Sequence, residues 1–185
     1  MDAISLIPAS AYAVSDRVHQ IKDDQWDEDT PCEEWTVRDL VNHLVYEQLW
    51  APHLLRGETI QQVGDRYEGD VLGDDPVGAW DNAMDDALAA WAEVDAEQTV
   101  HLSFGDFPAS AYADQVLCDL VVHGWDLSRG ADLDDDMDPD GVAHSLAFAE
   151  ANAETLTGSG MFGTPQKPRS DAAQDRLLAL LGRRA

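Results

Sequence analysis

The fold follows from long segments with helical periodicity, and the most informative of them contains Asp119-Leu120-Val121-Val122-His123-Gly124-Trp125-Asp126-Leu127. Apolar residues recur at three- and four-residue spacing through the surrounding segment 109–129, which predicts a helix with one face in a core. Asp119 and His123 are four residues apart, so both project from one helix face about a turn from each other. A carboxylate and an imidazole placed in this way form a predicted pair of metal ligands.

A second predicted helix supplies a third ligand. It begins at Thr36, whose hydroxyl can cap it, and its inward stripe runs to Leu55 near Gly57. Because Pro52 lies inside this pattern, a kink or local break is expected near Gln48. His43 lies at the edge of this stripe, in line with Glu47. If this edge faces the edge that carries Asp119 and His123, three ligands converge and leave open positions for chemistry. The alternative is that the histidines are ordinary core residues and that Asp119 simply accepts a hydrogen bond from His123.

The rest of the chain predicts an all-α four-helix bundle with extra short helices and an irregular C-terminal wrap. We expect a single domain, 1–185, with its core at about 8–156 and a connector and short helix at 157–185. The further predicted elements are helices at about 8–26 with Pro8 in the first turn, 76–94, 138–155 and 171–181, a Gly/Asp-rich loop at 58–75, a short extended piece at 99–104 and a turn at 105–108.

The charge of the chain is extreme. There are 37 acidic residues against 11 basic ones, a formal net charge of −26, and lysine occurs only as Lys22 and Lys167. Such a surface makes nucleic acid and anionic membranes poor partners. An Asp-rich, Lys-poor balance is typical of proteins from a high-salt cytoplasm, and the alternative is simply a very acidic, soluble protein.

Other sequence signals narrow the class of protein. Cys32 and Cys118 cannot form a disulfide framework, and we expect reduced thiols. The start of the chain lacks the basic region of a signal peptide, and no apolar run approaches a membrane span, so a cytoplasmic protein is expected. The chain has no GxGxxG, Walker-type loop or GxSxG elbow, which removes support for nucleotide-dependent enzymes and serine hydrolases.

The segments that carry the histidines also occur in a recognisable combination. They resemble the DinB-like metal-binding bundles, in particular the actinobacterial branch similar to the N-terminal domain of mycothiol-dependent maleylpyruvate isomerase. The passages that carry the resemblance are Thr30-Pro31-Cys32-Glu33-Glu34-Trp35 running into His43, the segment 69–76, His123-Gly124-Trp125-Asp126-Leu127 and the tail 175–183.

This resemblance implies a four-helix bundle that holds a divalent metal, commonly zinc or nickel. The family's ligand positions fall on His43, Asp119 and His123. If this chain is a metal-dependent enzyme, we expect Glu47 or Asp126 to support these ligands from outside the coordination sphere. The characterised relatives use the metal to activate a low-molecular-weight thiol such as mycothiol. Two departures are notable: Asp119 stands where the isomerase has glutamate, and the chain ends too early for the additional C-terminal domain of that enzyme.

Two functions follow as expectations. The first is a metal-dependent transferase or isomerase that uses a low-molecular-weight thiol on a small electrophile. The second is a non-catalytic helical bundle, with or without metal, that acts as a binding or stress-response protein. The expected partner is a small-molecule substrate, without nucleic acid or membrane, and a homodimer is left open.

Overall fold

The computed structural model describes residues 1–159 and 162–184. Within these ranges the chain forms eight helices and one β-hairpin. In chain order they are α1 (Ala3–Val18), α2 (Val37–Leu55), α3 (Ile60–Val63), α4 (Pro76–Glu93), β1 (Thr99–Leu102), β2 (Gly105–Pro108), α5 (Ala109–Gly130), α6 (Pro139–Ala151), α7 (Ala153–Ser159) and α8 (Ala173–Leu180).

Four of the long helices form a bundle. Helix α1 packs along α5 and α2 packs along α4, and further contacts join α1 to α4 and α2 to α5. The apolar stripes meet between them, where Trp80, Leu44, Leu117 and Leu120 are fully buried. Burial of each such side chain contributes about 1.5–3 kcal/mol relative to exposure. The predicted all-α class and bundle architecture are confirmed.

The first helix lies further toward the N-terminus than its pattern predicts. Asp2 caps it by accepting a hydrogen bond from the Ser5 amide at 2.9 Å, so α1 begins at Ala3. Pro8 therefore lies inside the helix, and its prediction as a first-turn residue was wrong. The helix also ends at Val18, and Trp26 packs against the core from the following loop. The sequence predicted a helix as far as Trp26, because an apolar residue that packs on the core from a loop can still fall in the spacing of a helix.

A hairpin replaces the extended piece and turn predicted at 99–108. Strands β1 and β2 pair antiparallel, with Thr99 opposite Pro108 and Leu102 opposite Gly105. The predicted turn at 105–108 is thus the second strand, and the chain reverses before it. Glycine, aspartate and proline favour turns locally, but here backbone pairing with β1 and the burial of Val100 decide the conformation.

The C-terminal third wraps the bundle. Helix α6 packs on α5 and on α8, and the helix predicted at 138–155 is interrupted at Asn152, after which α7 runs to Ser159. The Asn152 side chain donates to the Phe148 carbonyl, a local bond that competes with helix continuation. Gly160, Met161 and Ala185 of the predicted connector and tail lie outside the described residues. None of the described helices is long and apolar enough to span a membrane.

Candidate metal centre

The three predicted ligands are presented by two helices of the bundle. A reciprocal capping box fixes the start of α2, because Thr36 Oγ1 accepts from the Asp39 amide at 3.2 Å and Asp39 Oδ2 accepts from the Thr36 amide at 3.0 Å. His43 follows one turn later and faces α5, which carries Asp119 and His123. The capping box and the buried stripe together set the rotation of His43 toward α5.

The side chains of His43, Asp119 and His123 converge. Oδ1 of Asp119 lies 3.3 Å from Nε2 of His123 and 3.4 Å from Nε2 of His43, and one donor atom from each residue lies within 4.8 Å of the other two. These contacts are longer than the usual 2.9 Å of an N–H···O bond. Ligand atoms about 2.0–2.1 Å from a tetrahedral metal are themselves about 3.3 Å apart, so the two measured distances fit a shared ion.

The second carboxylate oxygen of Asp119 is also consistent with a cation site. This oxygen, Oδ2, is buried and has no hydrogen-bond partner within the described part of the chain. A buried, unsatisfied carboxylate oxygen costs free energy, and a divalent cation would satisfy it. The shorter aspartate side chain, in place of the glutamate that the family resemblance implies, still reaches both histidines. That the three residues hold a metal stays a prediction.

Asp126 determines how the His123 ring is protonated. Its Oδ2 lies 2.9 Å from Nδ1 of His123, and a carboxylate can only accept, so Nδ1 carries a proton there. This leaves Nε2, the nitrogen that faces Asp119 and His43, for a metal. A histidine whose second nitrogen donates to a carboxylate is the usual arrangement of metal-ligating histidines.

Without a metal, burial and neighbouring charges shift the pKa values of the groups in the site. Although burial by itself lowers the pKa of His123, the carboxylates of Asp119 and Asp126 raise it well above its usual range. Burial by itself raises the pKa of Asp119, but the charges and hydrogen bonds of His123 and His43 lower it overall. Burial, and then the negative charge of Asp119, raise the pKa of Glu47 to about 7. In the metal-free protein, protonated His123 therefore supplies the positive charge that an ion would bring.

A second group of metal-type ligands, Cys32, His123 and Asp126, lies on the other side of the same imidazole ring. This group already contains a cation. The Arg183 guanidinium places Nη2 2.7 Å from Asp126 Oδ2 and 3.5 Å from Cys32 Sγ. A metal there would have to share the space with that charge, so the group of His43, Asp119 and His123 is the better candidate.

The loop before α2 forms one wall of the site. The Trp35 ring lies over both histidines, with ring centroids 5.0 Å from His43 and 6.0 Å from His123. Thr30 holds this loop by donating from Oγ1 to the Trp35 carbonyl at 2.9 Å. At the end of α5, a Cβ on Gly130 would come within 2.9 Å of the Thr30 side chain, so the loop can approach the helix only because residue 130 is glycine.

An open cavity of about 560 Å³ adjoins the candidate ligands. Its wall combines aromatic rings with acidic and amide side chains, and it includes His43 itself. The lining residues are Glu34, Trp35, Asp39, Asn42, His43, Tyr46, Tyr67, Glu68 and Gly69. The His43 and Asp119 side chains keep 24% and 25% of their surface exposed, against 9% for His123, so access to the centre is from the His43 side.

Comparison with known proteins assigns the chain to a family. The sequence profile of the family described as the mycothiol maleylpyruvate isomerase N-terminal domain matches residues 7–128. The chain belongs to this family. The match covers both candidate metal-binding helices, and it confirms the family resemblance drawn from the motifs.

Individual proteins similar to this chain extend the comparison beyond residues 7–128. Two uncharacterized proteins of Mycobacterium tuberculosis, from strains CDC 1551 / Oshkosh and ATCC 25618 / H37Rv, are each 28% identical over 190 residues, covering 99% of this chain and 98% of theirs. Crystal structures of the mycothiol-dependent maleylpyruvate isomerase and of a histidine-to-alanine mutant of it share the fold. Each has a TM-score of 0.64 and 18% identity, and the match covers 87% of this chain and 72% of the isomerase chain.

Two residues beside the site were not anticipated as such from the sequence. Cys32 was expected to be an unremarkable reduced thiol, yet its Sγ lies 3.2 Å from Asp126 Oδ2 and 3.7 Å from His123 Nδ1. Arg183, from the C-terminal tail, reaches the same carboxylate. Both stand inside motifs that carry the family resemblance, and this was the one available signal. Nothing in their local spacing relates them to α5.

Proposed function

We propose that this protein is a divalent-metal-dependent transferase or isomerase. It would use a low-molecular-weight thiol, of the mycothiol type, on a small electrophile. Membership of the mycothiol maleylpyruvate isomerase N-terminal domain family supports the thiol. The convergence of His43, Asp119 and His123 supports the metal, with zinc or nickel suited to two imidazoles and one carboxylate.

The main observation behind the proposal is that His43 belongs both to the candidate ligand set and to the wall of the cavity. Its Nε2 lies 3.4 Å from Asp119 Oδ1, within the candidate ligand set, and its side chain also lines the open cavity of about 560 Å³. Ligand pockets commonly have volumes of about 300–1,000 Å³. A bound small molecule would therefore lie directly against the metal-binding residues.

The chemistry at this junction is divided between the metal and the chain. A divalent metal supplies the charge that keeps a coordinated thiol in its thiolate form near neutral pH. His43, Asp119 and His123 would hold the ion, while Asp126 keeps the His123 proton on Nδ1 and so leaves Nε2 free. Trp35 shields one side of the two histidines from water.

The cavity wall favours an electrophile without net negative charge. Glu34, Asp39 and Glu68 contribute carboxylates, and none of the nine lining residues is lysine or arginine. Arg38, nearby, is already paired with Asp70 at 3.0 Å. The aromatic side chains Tyr46 and Tyr67 suit an apolar or aromatic substrate.

The test is a thiol-conjugation assay on the purified, metal-loaded chain. Mycothiol and the neutral electrophile 1-chloro-2,4-dinitrobenzene are supplied, and thioether formation is followed by absorbance. Wild-type protein loaded with Zn²⁺ or Ni²⁺ is expected to give protein-dependent turnover that chelation abolishes. His43→Ala should remove this turnover, whereas His101→Ala, on strand β1 and outside the cavity lining, should leave it unchanged.

Other outcomes separate the proposal from its alternative. Stoichiometric metal binding without thiol-dependent turnover of any neutral electrophile would favour a non-catalytic metal-binding bundle. Turnover that survives complete removal of metal would contradict the role given to His43, Asp119 and His123.

A further inference from the structure

The C-terminal tail ends against the candidate metal centre. Helix α8 anchors it through Leu177 and Leu178, both 1% exposed. Beyond the helix, the Arg183 amide donates to the Leu178 carbonyl at 2.8 Å, and the tail turns inward. The Arg183 side chain, 8% exposed, then enters the space beside α5.

The turn at Gly182 makes this approach feasible. Gly182 has a φ of +86°, a conformation that favours glycine. A Cβ on it would lie 2.5 Å from the backbone of Gly163, so no other residue fits without displacing the chain. The Arg183 guanidinium is held in turn by the Leu181 carbonyl, 2.9 Å from Nη1, and by the Phe162 ring, whose centroid is 5.7 Å from Cζ.

Arg183 forms a bidentate ion pair with Asp126. Nε donates to Oδ1 at 3.2 Å and Nη2 donates to Oδ2 at 2.7 Å, while Asp126 itself is fully buried. The same carboxylate also accepts from His123 Nδ1 at 2.9 Å and from Cys32 Sγ at 3.2 Å. Two-point pairing of this kind fixes the plane of a carboxylate as well as its charge.

We infer that Arg183 is a positioning residue of the metal centre, acting through Asp126 on His123. The fixed carboxylate holds the His123 ring in one orientation and one tautomer, with Nε2 directed at Asp119 and His43. Without the guanidinium, Asp126 Oδ1 would lose its donor and only His123 and Cys32 would hold the buried carboxylate, both through Oδ2, so its plane would be less firmly fixed. The tail therefore completes, from about sixty residues away in sequence, a centre whose three ligands lie on α2 and α5. This inference rests on the proposed metal-binding function.

The test measures Zn²⁺ affinity of the full chain by competition with a chromophoric chelator. Arg183→Met removes the charge at similar length, Arg183→Lys keeps the charge without the fork, and Arg184→Met is the matched control at an exposed neighbour. Loss of groups that orient metal ligands typically weakens affinity by about 10–100-fold. We expect that loss for Arg183→Met, a smaller one for Arg183→Lys and no change for Arg184→Met. Melting of the metal-free proteins is recorded in parallel.

The outcomes distinguish this inference from the proposed function. If Arg183→Met melts earlier but binds Zn²⁺ as tightly as wild type, Arg183 only secures the tail and the inference is wrong. If wild-type protein itself binds no Zn²⁺ or Ni²⁺, the proposed function fails instead. Should Arg183→Met not fold, Asp126→Asn tests the same link, since it keeps the shape of the side chain and removes its charge. Unchanged affinity in that variant would equally overturn the inference.

Discussion

Asp119 and His123 lie one turn apart on α5, and their facing atoms, Oδ1 and Nε2, are 3.3 Å apart while the other oxygen of Asp119 is buried without a partner in the described chain. The 3.3 Å separation is longer than the usual 2.9 Å of an N–H···O bond, and a buried oxygen without a partner costs free energy. Together with His43, this pair forms a group of three residues that could hold a metal ion.

Metal should stabilise the folded chain. Zn²⁺ at about 100 times its dissociation constant is expected to add about 2.7 kcal/mol to the free energy of unfolding, which for a domain of this size raises the Tm by roughly 5–10 °C. His123→Ala should abolish both the binding and the shift, and His101→Ala should preserve them. The measurement is thermal denaturation with and without chelator. Identical curves from protein shown to contain metal would contradict the site.

Glu47 should make the metal-free protein less stable as the pH rises. Its pKa in the folded state is about 7, above the ordinary value of 4.5, because of burial and the charge of Asp119. Between these values the unfolded chain has released a proton that the folded chain still holds, so the free energy of unfolding falls with rising pH.

Replacement of Glu47 by Gln removes this penalty. Glu47→Gln is expected to match wild type near pH 4 and to exceed its stability at pH 8 by roughly 1–3 kcal/mol, since one pKa unit corresponds to about 1.4 kcal/mol. Urea denaturation at the two pH values, with chelator present, measures the difference. A gain of the same size at both pH values would point to packing instead of ionisation.

The charge of the cavity wall should select among electrophiles. Because Glu34 and Glu68 line the cavity, a dicarboxylate electrophile such as maleylpyruvate is expected to give a much lower kcat/KM than a neutral one. The double variant Glu34→Gln, Glu68→Gln should raise kcat/KM for the dianion several-fold at low salt, and 0.5 M KCl should reduce that gain by screening. Glu93→Gln, at the end of α4, is the control. A dianion preferred by the wild-type protein would refute this selectivity.

The two cysteines should react very differently. Cys118 is 2% exposed, and burial, followed by the charge of Asp119, raises the pKa of its thiol to about 12. On the order of 10⁻⁴ of that thiol is ionised at pH 8, and the thiolate is the reactive form. Cys32 is partly exposed. Iodoacetamide is therefore expected to label Cys32 alone in native protein, as read by mass spectrometry, and both residues after denaturation. Equal labelling in the native state would contradict the burial of Cys118.

Salt should stabilise the chain through its acidic loop. Residues 132–140 contain six aspartates and no lysine or arginine. The structure supplies partial compensation, since Arg129 pairs with Asp135 at 3.2 Å and Arg17 donates to the carbonyl of Asp136 at 2.9 Å. These two arginines face six aspartates, and molar salt shortens the screening length from about 10 Å to about 3 Å.

We therefore expect the Tm to rise between 0.1 M and 1 M KCl. The variant Asp132→Asn, Asp136→Asn should show a smaller rise, whereas neutralising the exposed pair Asp85 and Asp86 on α4 should reduce it less. A flat or falling Tm for the wild-type chain would remove support for adaptation to high salt.

The parts of the fold that local chemistry controls could be predicted. The capping residue Thr36 fixes the start of α2, and the apolar stripes of α2, α4 and α5 reveal which faces are buried. These features depend on residues within one or two turns of each other. For the same reason Asp119 and His123, four residues apart on one helix, were identifiable as a pair.

The sequence by itself therefore determined the helices, their buried faces and the pairing of Asp119 with His123 on α5, because each is set by periodicity over a few residues. Only the tertiary structure decided that His43 meets that pair, that 105–108 is a strand, and that Cys32 and Arg183 lie against Asp126. The strand pairs with the neighbouring β1, but the contacts of His43, Cys32 and Arg183 join residues about 60–150 positions apart in the chain. They arise from the packing of whole helices and from close approaches at Gly130 and Gly182, and such packing leaves no periodic trace in the sequence.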